Sequence, residues 1–310
     1  MVMNSTNLSS GVKNPELSLK ALFLAARPKT LSAAVVPIVA TVGLVLKMQV
    51  AIQWWIVVCA LLSSFCIQIG TNFVNDAMDF KKGADTDKRI GPARMTQQGL
   101  LSYRQVMSLA ALFFAGAVLF GLPLVLHGGW IIVVIGLVSI LMGYAYTSGP
   151  VPLAYYGLGD LFVILFFGLV AVGGLFFLLT GAYNLDALVL GLQIGFLSTI
   201  LIAINNLRDI HTDKEVGKNT LAVRFGVFGA KIWICFLILA PFLMGYYWLY
   251  QKKYFLYIVP TLALPLGLSV LKKIIQNDPS PEYNRYLAKS AAYGLIFSFG
   301  FLIGALVNWL

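Results

Sequence analysis

Charged side chains are scarce in this chain. Asp, Glu, Lys and Arg make up 11% of its 310 residues, and hydrophobic residues make up 59%. Soluble globular domains carry about 25% charged residues, which cover their water-facing surface. This composition excludes a water-soluble globule, and we therefore expect an integral membrane protein in the lipid bilayer.

Cysteine and histidine are also rare, with three and two residues respectively. The cysteines have no paired spacing, which excludes a disulfide framework and a zinc knuckle. His127 and His211 have no partner at ligand spacing, so a histidine-based metal site is not expected. Any metal site must therefore be built from oxygen ligands.

Long apolar runs are what the sequence has in abundance. A spanning helix needs about 20 mostly apolar residues, and about nine such runs are present. They predict an all-α polytopic membrane protein of about nine helices around a central cavity, with residues 1–310 as one transmembrane domain. The runs lie near 28–47, 51–71, 105–126, 130–146, 158–179, 185–204, 231–250, 254–271 and 291–309.

The distribution of Lys and Arg predicts the topology. Residues 1–20 are polar and lack a signal-peptide core, which indicates a short cytosolic tail. With the N-terminus in the cytoplasm, every Lys and Arg except Lys47, Lys252 and Lys253 lies on the cytoplasmic side. The net charge of +10 is therefore a topology signal, and we expect no nucleic-acid partner. The plasma membrane of a prokaryote is the expected location.

Two clusters of Asn and Asp end two of the apolar runs. Within each cluster the spacing of about four residues places the side chains on one helix face. Acids beside hydrocarbon are costly and usually mark a site. The clusters align when the sequence is shifted against itself, which indicates duplicated halves that share one cavity mouth. Their members are Asn72, Asn75, Asp76 and Asp79, then Asn205, Asn206, Asp209 and Asp213.

The loop after each cluster carries both acidic and basic residues. Carboxylates without organised His or Cys favour Mg²⁺, which bridges a few carboxylates to substrate phosphates. Lys and Arg pair directly with phosphate oxygens. The combination indicates a Mg²⁺-bound diphosphate at the cytoplasmic mouth.

At these residues the chain resembles the UbiA family of membrane aromatic prenyltransferases. The first motif is NFVNDAMDFKKGADT, from Asn72 to Thr86, and the second is NNLRDIHTDKEVGKNTLAVR, from Asn205 to Arg224. Many relatives carry a further aspartate four residues after Asp79, where this chain has Gly83, with Asp85 two places later. The segments ARPKTLSAA and GYAYTSGPVPLAYYGLGD are most similar to the 1,4-dihydroxy-2-naphthoate polyprenyltransferases within the family.

The resemblance implies a role for each candidate residue. Asp76, Asp79, Asp209 and Asp213 are the expected catalytic carboxylates, and with Asn72 and Asp85 they form the expected Mg²⁺ site. Arg27 and Lys29 are expected at the carboxylate of the aromatic acceptor, and Tyr144 and Tyr146 near the allylic cation. The expected diphosphate-binding residues are Asn72, Asn75, Asn205, Lys218 and Arg224, with Lys88, Arg89 and Arg94 behind them.

The implied reaction is transfer of a prenyl group from an isoprenoid diphosphate to 1,4-dihydroxy-2-naphthoate, with loss of CO₂ and diphosphate. The sequence leaves other acceptors open, namely 4-hydroxybenzoate, homogentisate or a porphyrin. A secondary transporter is a further alternative, although its site usually lies near the bilayer midplane. Neither the prenyl chain length nor the general base follows from the sequence.

Overall fold

The computed structural model describes residues 26–83, 90–91 and 94–307, apart from the side chains of Pro28 and Lys29. These residues form helices and connecting loops, with no strand in the described ranges. The all-α prediction is confirmed. The helices are α1 Pro28–Lys47, α2 Trp54–Lys81, α3 Tyr103–Gly128, α4 Trp130–Ala145, α5 Gly159–Thr180, α6 Leu185–Arg208, α7 Ile210–Glu215, α8 Leu221–Tyr250, α9 Phe255–Thr261, α10 Leu264–Gln276 and α11 Tyr283–Val307.

The number of membrane spans is close to the predicted one. In the described part of the chain, seven helices are long and apolar enough to cross a bilayer. The bent pair α9 and α10, which meet at 44°, makes up to eight. Helix α4 has 16 residues, fewer than the roughly 20 of a full span. Each of the nine predicted runs therefore overlaps a helix, but nine is only an approximate count of full crossings.

Helix α6 lies at the centre of the bundle and packs against α1, α5, α8 and α11. Its contact with α5 is unusually close, because residues Ile164–Val170 of α5 form a π-helical turn. A Cβ atom on Gly168 in that turn would lie 2.3 Å from the carbonyl oxygen of Gly191 on α6. Small residues allow such backbone contacts between membrane helices. This packing fixes the position of α6 along the bundle, and the second Asn/Asp cluster begins in its last turn.

Three connecting segments meet at one end of the bundle, where α2 and α6 both finish. Residues 94–101 fold back on the end of α2, residues 146–158 connect α4 to α5, and residues 216–220 connect α7 to α8. The last two are joined by the amide of Asn219, which donates to the carbonyl of Tyr155 at 3.0 Å. Asp76, Asp79 and Asp213 each contact one of these segments.

Candidate active site

Asp79 lies in the last turn of α2 and is buried. One carboxylate oxygen accepts a hydrogen bond from Nη2 of Arg94 at 2.8 Å, and the other accepts from the hydroxyl of Tyr155 at 3.0 Å. Both partners of the Arg94–Asp79 ion pair have side chains about 5% exposed. A buried carboxylate needs such partners because an uncompensated charge is expensive there.

Asp76 is one helical turn earlier and is equally buried. Its carboxylate accepts from the amides of Met95 and Thr96 at 2.9 and 3.1 Å, and from the Thr96 hydroxyl at 2.5 Å. These bonds attach the segment after the first motif to α2. Because Arg94 directly precedes Met95, these bonds to Asp76 also hold Arg94 next to Asp79.

The asparagines of the first cluster connect α2 to its neighbours. The Asn72 amide donates to the carbonyl of Ala26 and to the Thr30 hydroxyl, both at 3.1 Å. The Asn75 side chain accepts from the Thr147 hydroxyl at 2.7 Å. The start of α1 and the α4–α5 connection are thereby fixed against the first motif.

The second cluster spans a break between α6 and α7. Asp209 lies at the junction with φ −95° and ψ 11°, yet its amide donates to Asn205 and the Asp213 amide donates to Asp209, at 3.0 and 2.8 Å. These bonds keep the four-residue periodicity predicted for Asn205, Asp209 and Asp213. The side chain of Asn205 is half-buried in the last turn of α6.

The Asp209 carboxylate is engaged by its neighbour Arg208. Nε and Nη2 of Arg208 donate to the two carboxylate oxygens at 2.8 and 2.6 Å. Nη1 of the same guanidinium donates to Asn284 of α11 at 2.6 Å. The charge of Asp209 is thus balanced, and the end of α6 is attached to α11.

Asp213 has a different environment. One carboxylate oxygen lies 3.4 Å from Nζ of Lys218, and the other, Oδ2, is buried without a hydrogen bond. Burial raises the pKa of Asp213 to about 6, and the nearby carboxylates of Asp209 and Asp79 add to the effect against the opposing Lys218. A buried oxygen without a partner is costly, and a cation bound beside it would remove that cost.

Lys82 and Tyr155 belong to the site although neither was among the predicted residues. The Lys82 ammonium lies 4.1 Å from the centre of the Tyr155 ring and donates to the carbonyl of Thr147 at 2.7 Å. Tyr155 also contacts Asp79, and the Lys218 ammonium lies 5.8 Å from its ring. The two aspartate clusters are therefore connected through Tyr155. A sequence signal existed, because Tyr155 lies inside the GYAYTSGPVPLAYYGLGD segment.

The predicted acceptor-side residues lie beside these clusters. Arg27 precedes α1 in the left-handed region, with φ 54° and ψ 65°. Burial raises the pKa of Tyr146, and the carboxylates of Asp160, Asp79 and Asp213 raise it further, while Arg27 lowers it. Tyr146 therefore lies within electrostatic reach of both clusters and of Arg27.

Other predicted residues lie at the margin of the site or outside the described ranges. The Arg224 guanidinium donates to the carbonyls of Tyr156 and Asn219, at 2.8 and 3.3 Å, and holds the two loops together. Tyr144 is 40% exposed. Asp85, Lys88 and Arg89 fall outside the described residues, as does the side chain of Lys29.

The donor set is compatible with Mg²⁺. Among the described residues, no three His, Cys, Asp or Glu side chains are close enough to hold a metal ion by themselves. Mg²⁺ commonly binds through one or two carboxylates together with substrate phosphates. The unpartnered oxygen of Asp213 fits one carboxylate ligand of an ion that binds together with a diphosphate.

The sequence matches the UbiA prenyltransferase family over residues 35–293. It is 31% identical to a 1,4-dihydroxy-2-naphthoate octaprenyltransferase of Bacillus subtilis, over 99% of both chains. It is 37% identical to the enzyme of the same name from Escherichia coli, over 66% of this chain and 68% of that one.

Solved structures of UbiA homologues share the fold. A homologue from Aeropyrum pernix superposes with a TM-score of 0.69 at 15% identity, over 91% of this chain and 98% of that one. A homologue from Archaeoglobus fulgidus, bound to DMAPP and Mg²⁺, superposes with a TM-score of 0.61 at 17% identity, over 90% and 99%.

Proposed function

Because the chain belongs to the UbiA prenyltransferase family, we propose that it transfers a prenyl group from an allylic diphosphate to 1,4-dihydroxy-2-naphthoate. The contact series Asp79–Tyr155–Lys218–Asp213 carries this proposal. It brings both aspartate motifs to one end of the helix bundle, as the binding of a single diphosphate by both motifs requires.

Binding of the diphosphate depends on opposite charges in one place. Asp79 and Asp213, with Asn72, Asp76, Asp209 and Asp85, would hold Mg²⁺ directly or through water. When bound, this ion would stabilise the negative charge that develops on the leaving diphosphate. Lys218 and Arg94 would contact phosphate oxygens, with Asn75, Asn205, Lys88, Arg89 and Arg224 around them. The Archaeoglobus fulgidus homologue, which shares this fold, is bound to DMAPP and Mg²⁺, and this supports a Mg²⁺–diphosphate as the ligand.

The acceptor would bind beside Arg27 and Tyr146, at the end of the bundle that carries both Asn/Asp clusters. The Arg27 guanidinium, with Lys29, would pair with the naphthoate carboxylate. The faces of the Tyr146 and Tyr144 rings would shield the allylic cation. The carbon–oxygen bond of the allylic diphosphate breaks, the cation bonds to the ring carbon that carries the carboxylate, and CO₂ leaves with its bonding electrons retained by the ring. The product is of the demethylmenaquinone type.

The positions of the two Asn/Asp clusters favour an enzyme over a transporter. Both clusters lie at helix ends, whereas the substrate sites of secondary transporters lie near the midplane on discontinuous helices. The names of the curated relatives support the naphthoate acceptor in the same way.

One assay tests the whole proposal. Purified protein receives Mg²⁺, a prenyl diphosphate and carboxyl-labelled acceptor, and the lipid products are analysed by mass. We expect one labelled CO₂ for each prenylated naphthoquinol formed, no turnover with chelator, and recovery on addition of Mg²⁺. Product from 4-hydroxybenzoate, homogentisate or a porphyrin, with none from the naphthoate, would refute the proposed acceptor.

A further inference from the structure

The ring of Tyr155 lies between two lysines that come from different parts of the chain. Nζ of Lys82, just after α2, is 4.1 Å from the ring centre, and Nζ of Lys218, just after α7, is 5.8 Å from it. An ammonium within about 6 Å of an aromatic face is attracted to it. Tyr155 thus holds one cation from each aspartate motif.

Tyr155 is itself fixed at three points. Its hydroxyl donates to Asp79 at 3.0 Å, and its carbonyl accepts from the amide of Asn219 at 3.0 Å. The Lys82 ammonium, which lies over the ring, also donates to the carbonyl of Thr147 at 2.7 Å. The side chain is half-buried, so its position is set by packing as well as by these bonds.

The two ammonium groups are close enough to affect each other. Partial burial lowers the pKa of Lys82, and Lys218 lowers it further, while Asp79 opposes the change. Of the nearby carboxylates, Asp79 accepts from Arg94 and Tyr155, and Asp213 pairs with Lys218 through one oxygen at 3.4 Å. Two adjacent cations held in this way favour an anion with several oxygens, because such a group can accept from both.

We propose that Tyr155 is a positioning residue that holds Lys82 and Lys218 as a pair for the two phosphates of the prenyl diphosphate. This inference rests on the proposed function for its substrate. It adds Lys82 as a phosphate-binding residue and explains how lysines from two motifs reach one ligand. Tyr155 acts through the lysines and does not take part in bond formation.

Binding of inorganic pyrophosphate tests the inference without turnover. Full-length protein in lipid nanodiscs is titrated with pyrophosphate and Mg²⁺ in a calorimeter. We expect Tyr155→Leu and Lys82→Gln each to weaken binding about tenfold, the range of one charge-assisted hydrogen bond to a phosphate oxygen. We expect Tyr155→Phe to weaken it less, because the ring remains and only the bond to Asp79 is lost.

The neighbouring pair Lys81 and Tyr103 provides a matched control. The Lys81 ammonium lies 5.6 Å from the Tyr103 ring, outside the contacts that connect the two motifs. Tyr103→Leu and Lys81→Gln should leave pyrophosphate affinity within about twofold, because this cation–π pair contacts neither Asp79 nor Lys218. Equal losses in both pairs, or unchanged affinity in the Tyr155 and Lys82 variants, would overturn the inference.

Steady-state kinetics separate this inference from the proposed function. In Tyr155→Leu we expect the KM for prenyl diphosphate to rise about tenfold while the KM for the acceptor stays unchanged. If the wild-type protein prenylates no acceptor but its pyrophosphate affinity still depends on Tyr155, the proposed function fails and the positioning role remains. If the wild-type protein is active and its Tyr155 variants bind pyrophosphate normally, only the positioning role fails.

Discussion

At the scale of single residues, the carboxylates of the two motifs are not equivalent. Asp76 accepts three hydrogen bonds from residues 95–96 and Asp209 is paired with Arg208. Asp213 keeps one buried oxygen without a hydrogen bond. Asp76 and Asp209 thus hold neighbouring segments in place, whereas Asp213 keeps one carboxylate oxygen without a protein partner.

The first prediction concerns Asp76 and Thr96. Asp76→Asn removes a charge near the proposed Mg²⁺ and also disrupts the loop bonds, so we expect turnover to fall by about 10² or more. Thr96→Val removes only the hydroxyl bond and should cost about tenfold or less. Enzyme kinetics over a range of Mg²⁺ concentrations measure both variants. If Asp76→Asn inserts normally and keeps near wild-type turnover, Asp76 is not part of the Mg²⁺ site.

A second prediction concerns Asp213 and pH. Its pKa is raised from 3.8 to about 6, so the folded protein binds a proton that the unfolded chain releases. Asp213 therefore lowers stability progressively as the pH rises from about 4 to about 6, and the cost remains above that. Without Mg²⁺ and diphosphate, Asp213→Asn should melt at a higher temperature than wild type at pH 7 and at a similar one near pH 4. A difference that does not vary with pH would contradict the raised pKa.

The third prediction tests Arg27 as an acceptor-binding residue. Replacing the guanidinium in Arg27→Gln should raise the KM for the aromatic acceptor more than the KM for prenyl diphosphate, because only the acceptor carries a carboxylate for it to bind. Steady-state kinetics with each substrate varied in turn provide the measurement. An equal effect on both constants would move Arg27 to the phosphate site or to a structural role.

At the scale of helices, the position of the second motif depends on how closely α5 approaches α6. Gly168, in the π-helical turn of α5, has the carbonyl of Gly191 and the Cα of Gly195 where a side chain would be. Any larger residue must therefore separate the two helices. The end of α6 would move with it, together with Asp209 and Asp213, which follow that end.

The fourth prediction follows from this contact. Gly168→Ala places a Cβ 2.3 Å from the Gly191 carbonyl oxygen, and overpacking of this kind costs about 1–3 kcal/mol. The matched control is Gly174→Ala on the same helix, where the nearest atom is 3.6 Å away. We expect a lower melting temperature and lower turnover for the first variant only. Equal behaviour of the two would show that the contact is not tight.

At the scale of the whole molecule, the Lys and Arg distribution predicts a cytoplasmic N-terminus and a cytoplasmic mouth. This orientation is tested in a Cys-free background. Glu215→Cys should react with impermeant thiol reagents only from the cytoplasmic side, and Lys252→Cys only from outside. Both positions are exposed. Reversed labelling would overturn the orientation.

The sequence by itself determined the fold class, the approximate helix positions and the two motifs. Hydrophobic run length sets where helices form in a bilayer, and the cost of acids near hydrocarbon makes their positions informative. The number of spans could be predicted only approximately from the sequence. The length of a hydrophobic run does not report the bend between α9 and α10 or the shortness of α4.

Only the tertiary structure decided which side chains meet. The contacts of Tyr155 with Asp79, Lys82 and Lys218 join residues far apart in the chain, and no local pattern encodes them. The contacts of Arg224 were not encoded locally either. The sequence predicts a phosphate-binding role for this residue, and its guanidinium donates to two loop carbonyls. Hydrophobicity and helical period act locally, whereas the division between ligand-facing and loop-holding residues depends on how distant helices pack.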